Sequence, residues 1–108
     1  RLLRALQAPR NDIGVIMSIQ WLFDVIEDRK KNPSEKSYTA SLFSEGLPKI
    51  AQKVGEEGTE VVVAALAQDD QRLIEEVADL TYHTLVLLAA RGLSPADVMA
   101  ELEKRHKK

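Results

Sequence analysis

Two stretches of this chain are strongly apolar and rich in helix formers, Val61 to Ala67 and Leu80 to Ala90, yet each is entered through a pair of acids. The first pair lies in Glu57-Gly58-Thr59-Glu60, with Glu56 beside it; the second lies in Glu76-Val77-Ala78-Asp79. Spacing of i, i+3 puts the two carboxylates of a pair on one helix face. A carboxylate beside a core is costly unless positive charge sits with it. A divalent cation meets that need, and hard cations such as Mg²⁺ take oxygen ligands.

Helical periodicity runs through most of the chain. Ile19, Leu22, Phe23 and Ile26 mark a first helix from about Ser18 to Lys31, with Arg29, Lys30 and Lys31 suited to its negative end. Asn32-Pro33-Ser34 stops it. A short helix follows, with Thr39 as the expected N-cap and Gly46 as the stop. Pro48 opens a third helix whose apolar stripe reads Ile50, Val54, Val61, Ala65, and Glu57 borders that stripe. Asp69-Asp70 makes a tight turn, with Asp70 expected to cap a fourth helix from about Gln71 to Arg91. From Val77 onward that helix is apolar on nearly every side, the pattern of a buried helix. Gly92 ends it, and Ser94-Pro95-Ala96-Asp97 opens a last, charged helix. The Val61 to Val63 run is too short and too deep among helix formers to compete as a strand. The fold class is all-α, a bundle of about five helices.

A turn as short as 69–70 makes the third and fourth helices antiparallel neighbours. At 1.5 Å per residue, Glu60 and Asp79 both lie roughly 14 Å along the hairpin, Glu76 roughly 10 Å and Glu57 roughly 18 Å. The four carboxylates therefore bracket one level, within reach of one or two Mg²⁺ ions if they turn inward. Lys53 stands i, i+4, i+7 with Glu57 and Glu60 and can meet a phosphate as a point charge; an ordinary helical Lys–Glu pair is the plain alternative. Glu75 reads as an acid favouring the helix dipole and His83 as a packed, satisfied side chain. Trp21 reads as a helix-packing residue.

Composition narrows the function classes. One hundred and eight residues make one domain with a small core, which a second copy would help to complete. A net charge of −2 lacks the basic face that nucleic acid wants. There is no cysteine, which excludes disulfides and thiolate zinc and suits a reducing cytoplasm. No apolar run is long enough to span a bilayer, and no secretory signal is evident. Residues 1–16, with Arg1, Arg4, Arg10, Pro9 and Gly14, look unlike the rest and are expected to be an extension or a remnant, with the domain proper at 17–108.

Taken together, Ser37-Tyr38-Thr39, Gly46, Lys49-Ile50, Lys53-Val54-Gly55-Glu56-Glu57, Glu60-Val61 and the run Glu76 to His83 followed by Leu85 to Leu93 resemble the phosphoribosyl-ATP pyrophosphohydrolase family, within the wider MazG-like all-α nucleoside triphosphate pyrophosphohydrolases. The resemblance covers about residues 18 to 105. It implies hydrolysis of 1-(5-phosphoribosyl)-ATP to 1-(5-phosphoribosyl)-AMP and pyrophosphate, the second step of histidine biosynthesis, with Mg²⁺ as cofactor and a homodimer that completes the bundle. Carried onto this chain, Glu57, Glu60, Glu76 and Asp79 become metal ligands, Lys53 a phosphate contact, and Ser37, Tyr38 and Thr39 candidates for the mouth of the substrate site. Glu56 is the candidate acceptor of the attacking water's proton. Gly58 and Thr81 depart from the family pattern, where alanine and leucine are more usual. Two other readings stay open at this point: a housecleaning pyrophosphatase of the same superfamily, and a non-catalytic helical dimerisation module.

Overall fold

The computed structural model describes residues 18–106. The expected N-terminal extension and the domain start near Met17 lie outside the described residues. Five helices, with no strand among the described residues, follow in order: α1 (Ile19–Lys31), α2 (Tyr38–Glu45), α3 (Leu47–Ala67), α4 (Asp70–Ala90) and α5 (Pro95–His106). The all-α expectation is met. None of the described helices is long and apolar enough to cross a membrane.

The helix starts are written in side-chain oxygens. Ser18 Oγ accepts from the Trp21 backbone N–H at 3.0 Å, satisfying a donor that the first turn leaves free. α2 begins two residues earlier than Thr39 suggested, because Ser37 takes the cap: its Oγ accepts from the Ala40 N–H at 3.0 Å. Likewise Asp69, not Asp70, caps α4, accepting from the Arg72 N–H at 2.9 Å. In both cases the hydroxyl or carboxylate just outside the helix reaches the N–H three residues on, while Thr39 and Asp70 are already wound into the first turn. Gly46 serves two helices. It closes α2 by donating its N–H to the Leu42 carbonyl at 3.1 Å, and its own carbonyl accepts from Ile50 at 3.2 Å at the start of α3. Its φ of +96° is what lets the chain turn so sharply, and a side chain would strain it.

α3 and α4 form the antiparallel hairpin that the short turn demanded. α1 and α2 cover one side of it. The core joins Leu22, Phe23 and Ile26 of α1, Leu42 of α2, Ile50 of α3, and Tyr82, Leu85, Val86 and Ala89 of α4. Trp21 and Tyr38 pack partly buried against it. α5 contributes no buried residue, and a cavity of about 530 Å³ lies between it, α1 and α4, lined by Leu80, Thr84, Leu88, Val98 and Met99 among others. Two expectations shift. Ala65 is exposed, and the inward line of α3 instead runs Ile50, Glu57, Ala64, seven residues or two turns apart. α4 is not covered all round from Val77, which is 43% exposed; a single chain has only α3, α1 and α2 to lay against it, and its far side is left uncovered.

Two glycines separate conformational need from habit. A Cβ on Gly58 meets nothing within 4 Å, so Gly58→Ala should stabilise the protein by roughly 0.5–1 kcal/mol through helix propensity. Gly46→Ala should destabilise it by more than about 1 kcal/mol, because φ is positive there. Urea unfolding midpoints of the two variants should therefore move in opposite directions; a shared direction contradicts this account of the α2–α3 junction.

Candidate functional site

The seven-residue line of α3 sets Glu57 between Ile50 and Ala64, in the seam with α4. Glu57 is accordingly 1% exposed. On α4 the same spacing joins Glu76 to His83, and both are buried, at 4% and 1% exposure. Asp79, one turn beyond Glu76, is half-buried. The antiparallel pairing brings these acids together: one carboxylate oxygen from each of Glu57, Glu76 and Asp79 lies within 4.8 Å of the others. Glu60 does not join them. It is exposed, because a step of three residues from Glu57 rotates it some 60° off the seam line.

Three negative charges this close repel one another. At an effective dielectric of 20, two unit charges 4.8 Å apart cost roughly 3 kcal/mol, well above what a surface ion pair returns. Two cations flank the group. Lys53 Nζ, on a side chain only 12% exposed, lies 3.7 Å from Glu57 and 3.4 Å from Glu56. Arg72 Nη2 lies 2.5 Å from Glu76 Oε2, while its Nη1 binds Glu75. Glu75, expected only to favour the helix dipole, is thus part of a fork. Its carboxyl is held below the usual range, by the hydrogen bond from Gln71 first and from Arg72 second.

The donor set fits a hard divalent cation. It is all oxygen, anionic, and drawn from two rigid helices. Octahedral bonds of about 2.1 Å require ligand oxygens roughly 3 to 4.2 Å apart, so the present separations of up to 4.8 Å close with side-chain adjustments of about half an ångström.

Glu56 stands outside this group on the exposed edge of α3. Gln52 donates to it at 2.8 Å and Lys53 lies beside it, and these two contacts, in that order, hold its carboxyl below the ordinary value. It is ionised at neutral pH.

The Ser37-Tyr38-Thr39 segment ties α2 to α4. Ser37 is committed to its cap. Tyr38 Oη lies 3.0 Å from His83 Nε2, and His83 Nδ1 lies 2.8 Å from the Asp79 carbonyl. A carbonyl only accepts, so Nδ1 carries the proton and, in the neutral ring, Nε2 accepts from the Tyr38 hydroxyl. His83 is thus the packed, satisfied residue expected of it. Thr39 is bonded to the Tyr82 hydroxyl and is 1% exposed. Its hydroxyl is thus shut inside the α2–α4 seam, where it joins the two helices. Arg72 was not among the residues singled out from the sequence, although its i+3 and i+4 relation to Glu75 and Glu76 was there to read.

The Glu56 environment carries a pH prediction. Its carboxyl is lowered in the folded protein, so the stabilisation it brings is present above the unfolded value near 4.5 and fades as pH falls through the lower folded value. Removing the leading partner in Gln52→Ala should move the Glu56 midpoint back upward in a carbon-13 NMR titration; an unmoved midpoint rejects Gln52 as the cause.

The family model for phosphoribosyl-ATP pyrophosphohydrolase matches residues 20–106. The chain is 50% identical over 90 residues to a phosphoribosyl-ATP pyrophosphatase of Clostridium botulinum, covering 83% of this chain and 82% of that one. It is 53% identical over 89 residues to that of Pyrobaculum calidifontis, covering 82% and 95%. With that of Lacticaseibacillus casei it shares 53% over 91 residues, covering 84% and 83%.

Proposed function

The chain belongs to the phosphoribosyl-ATP pyrophosphohydrolase family, and from that premise we propose that it hydrolyses 1-(5-phosphoribosyl)-ATP to 1-(5-phosphoribosyl)-AMP and pyrophosphate in histidine biosynthesis, at the α3–α4 carboxylate group. The observation that carries this reading is the convergence of Glu57, Glu76 and Asp79 within 4.8 Å, with Lys53 alongside. Of the other readings, a dimerisation module has no use for acids buried against one another, and the relatives' names favour the histidine-pathway enzyme over a housecleaning one.

In this proposal Glu57, Glu76 and Asp79 hold Mg²⁺, and Glu60 becomes a fourth donor only by rotating its exposed side chain inward. When bound, the ion neutralises phosphate charge and acidifies the attacking water. The rest is positioning and electrostatics, which is most of what phosphoryl chemistry asks of a protein. Lys53 meets a phosphate oxygen, exchanging part of its interaction with Glu56 and Glu57 for the substrate. Glu56, ionised and exposed, takes the proton of the attacking water. Tyr38, at the end of α2 nearest His83, borders the substrate, while Ser37 and Thr39 hold α2 in place. The apolar seam limits bulk water around the acids and strengthens each ionic contact.

The protein is further proposed to be a cytoplasmic homodimer. Val62, Leu66, Ile74 and Val77 support this: they are 56%, 83%, 62% and 43% exposed on the hairpin, an apolar surface that a second copy can cover.

Pyrophosphate release from phosphoribosyl-ATP, ATP and a panel of noncanonical nucleotides, with Mg²⁺ or with chelator, tests the proposal. Phosphoribosyl-ATP should be preferred and chelation should abolish turnover. Glu57→Gln and Asp79→Asn should each cost roughly a hundredfold or more, about 2.7 kcal/mol of barrier, with helix content unchanged by circular dichroism. Preference for a noncanonical nucleotide points to the housecleaning reading, and full turnover in Asp79→Asn removes it from the ligand set.

A further inference from the structure

Arg72 sits where helix chemistry argues against it. It belongs to the first turn of α4, its backbone N–H taken by the Asp69 cap, and a cation there opposes the positive end of the helix dipole. What holds it is acidic. One guanidinium nitrogen is on Glu75 and the other is 2.5 Å from Glu76, and Glu60, across on α3, adds its field to theirs. The side chains differ sharply in exposure: Arg72 is 46% exposed, Glu76 only 5%. A half-solvated cation is therefore bonded to one of the buried acids of the group.

Glu76 has one negative charge to offer. The guanidinium draws on it in a charge-assisted hydrogen bond, and a divalent ion joining Glu57, Glu76 and Asp79 draws on the same charge from the other side. Two cations on one carboxylate weaken each other. Lys53 stands beside Glu57 in a looser contact, 3.7 Å against the 2.5 Å between Arg72 and Glu76. Glu75 does not confine Arg72 to the group, since that carboxylate is itself half-exposed and gives the guanidinium a resting place once Glu76 is released.

From this we infer that Arg72 is a stand-in cation for Glu76: it neutralises the carboxylate group when no divalent ion is bound and competes with the ion for that residue, so that it sets the ion's affinity. It is a positioning residue and not a catalytic one. The inference rests on the reading that these three acids hold the cation.

By linkage, a residue that stabilises only the ion-free form weakens ion binding by the same free energy. Removing it lowers ion-free stability and tightens binding together. A merely orienting contact behaves in the opposite way, its loss costing about ten- to a hundredfold in affinity.

The test is calorimetric titration of Mg²⁺, and of Mn²⁺, into wild type and Arg72→Gln at 0.5 M KCl, where the Debye length is about 4 Å and remote charge counts for little. Thermal melts in chelator and in saturating Mg²⁺ accompany it. Arg72→Gln should bind about three- to tenfold more tightly, melt lower than wild type in chelator, and lose that deficit in saturating Mg²⁺. Unchanged or weaker binding overturns the inference while leaving the metal reading intact. A wild type that shows no saturable binding sinks both. Should Arg72→Gln fail to fold, Arg72→Lys, which keeps a charge but not the fork, should show a smaller shift in the same direction, and no shift or a reversed one overturns the inference equally.

Discussion

The burial of Glu57 and Glu76 in the seam between two antiparallel helices governs the rest of the structure. A carboxylate removed from water loses hydration worth several kcal/mol, and it persists there only with compensation. Here a third carboxylate is added, so the seam concentrates negative charge that an apolar hairpin would otherwise exclude. Lys53 and Arg72 return part of the balance from the rim. The remainder is what the proposed site would offer a small, hard, multiply charged cation.

Everything around the seam keeps the acids in register. The Asp69 cap starts α4 close behind the end of α3, so that the two helices run past each other with Glu57 facing Glu76 and Asp79. α2 is pinned to α4 by paired hydroxyl and imidazole contacts, Thr39 with Tyr82 and Tyr38 with His83. His83 in turn bonds the carbonyl of Asp79. Polar groups buried in such a network rigidify only when each is satisfied, and no described buried side-chain polar atom lacks a partner. The rigidity is useful, because small shifts in the placement of charge at a phosphate are costly.

Much of this was legible in the residues. The 3.6-residue period gave the helices, Gly46 and Gly92 their junctions, and the short Asp69-Asp70 turn the hairpin. Glu57 was visible as a seam residue because the apolar step from Val54 lands on it. Glu60 was harder. Counting rise along the axis places it level with Asp79, but burial depends on rotation as well, and the line actually buried steps by seven through Ile50, Glu57 and Ala64. Thr39 looked like a cap because hydroxyls at helix starts usually are; Ser37, two residues earlier, takes the cap and leaves Thr39 to bury its oxygen against Tyr82. Arg72 was overlooked for a different reason. Its partners lie on its own helix, and a local Arg–Glu pair has meaning only once Glu76 is known to be buried.

The claim that three acids from two helices share one cation is tested most directly by a crystal grown with Mn²⁺ and measured for its anomalous signal. The account predicts a single strong anomalous peak in the α3–α4 seam, within bonding distance of oxygens from Glu57, Glu76 and Asp79 together. A peak bound only by the exposed carboxylates of Glu56, Glu60 or Glu75, or none in the seam at all, contradicts it.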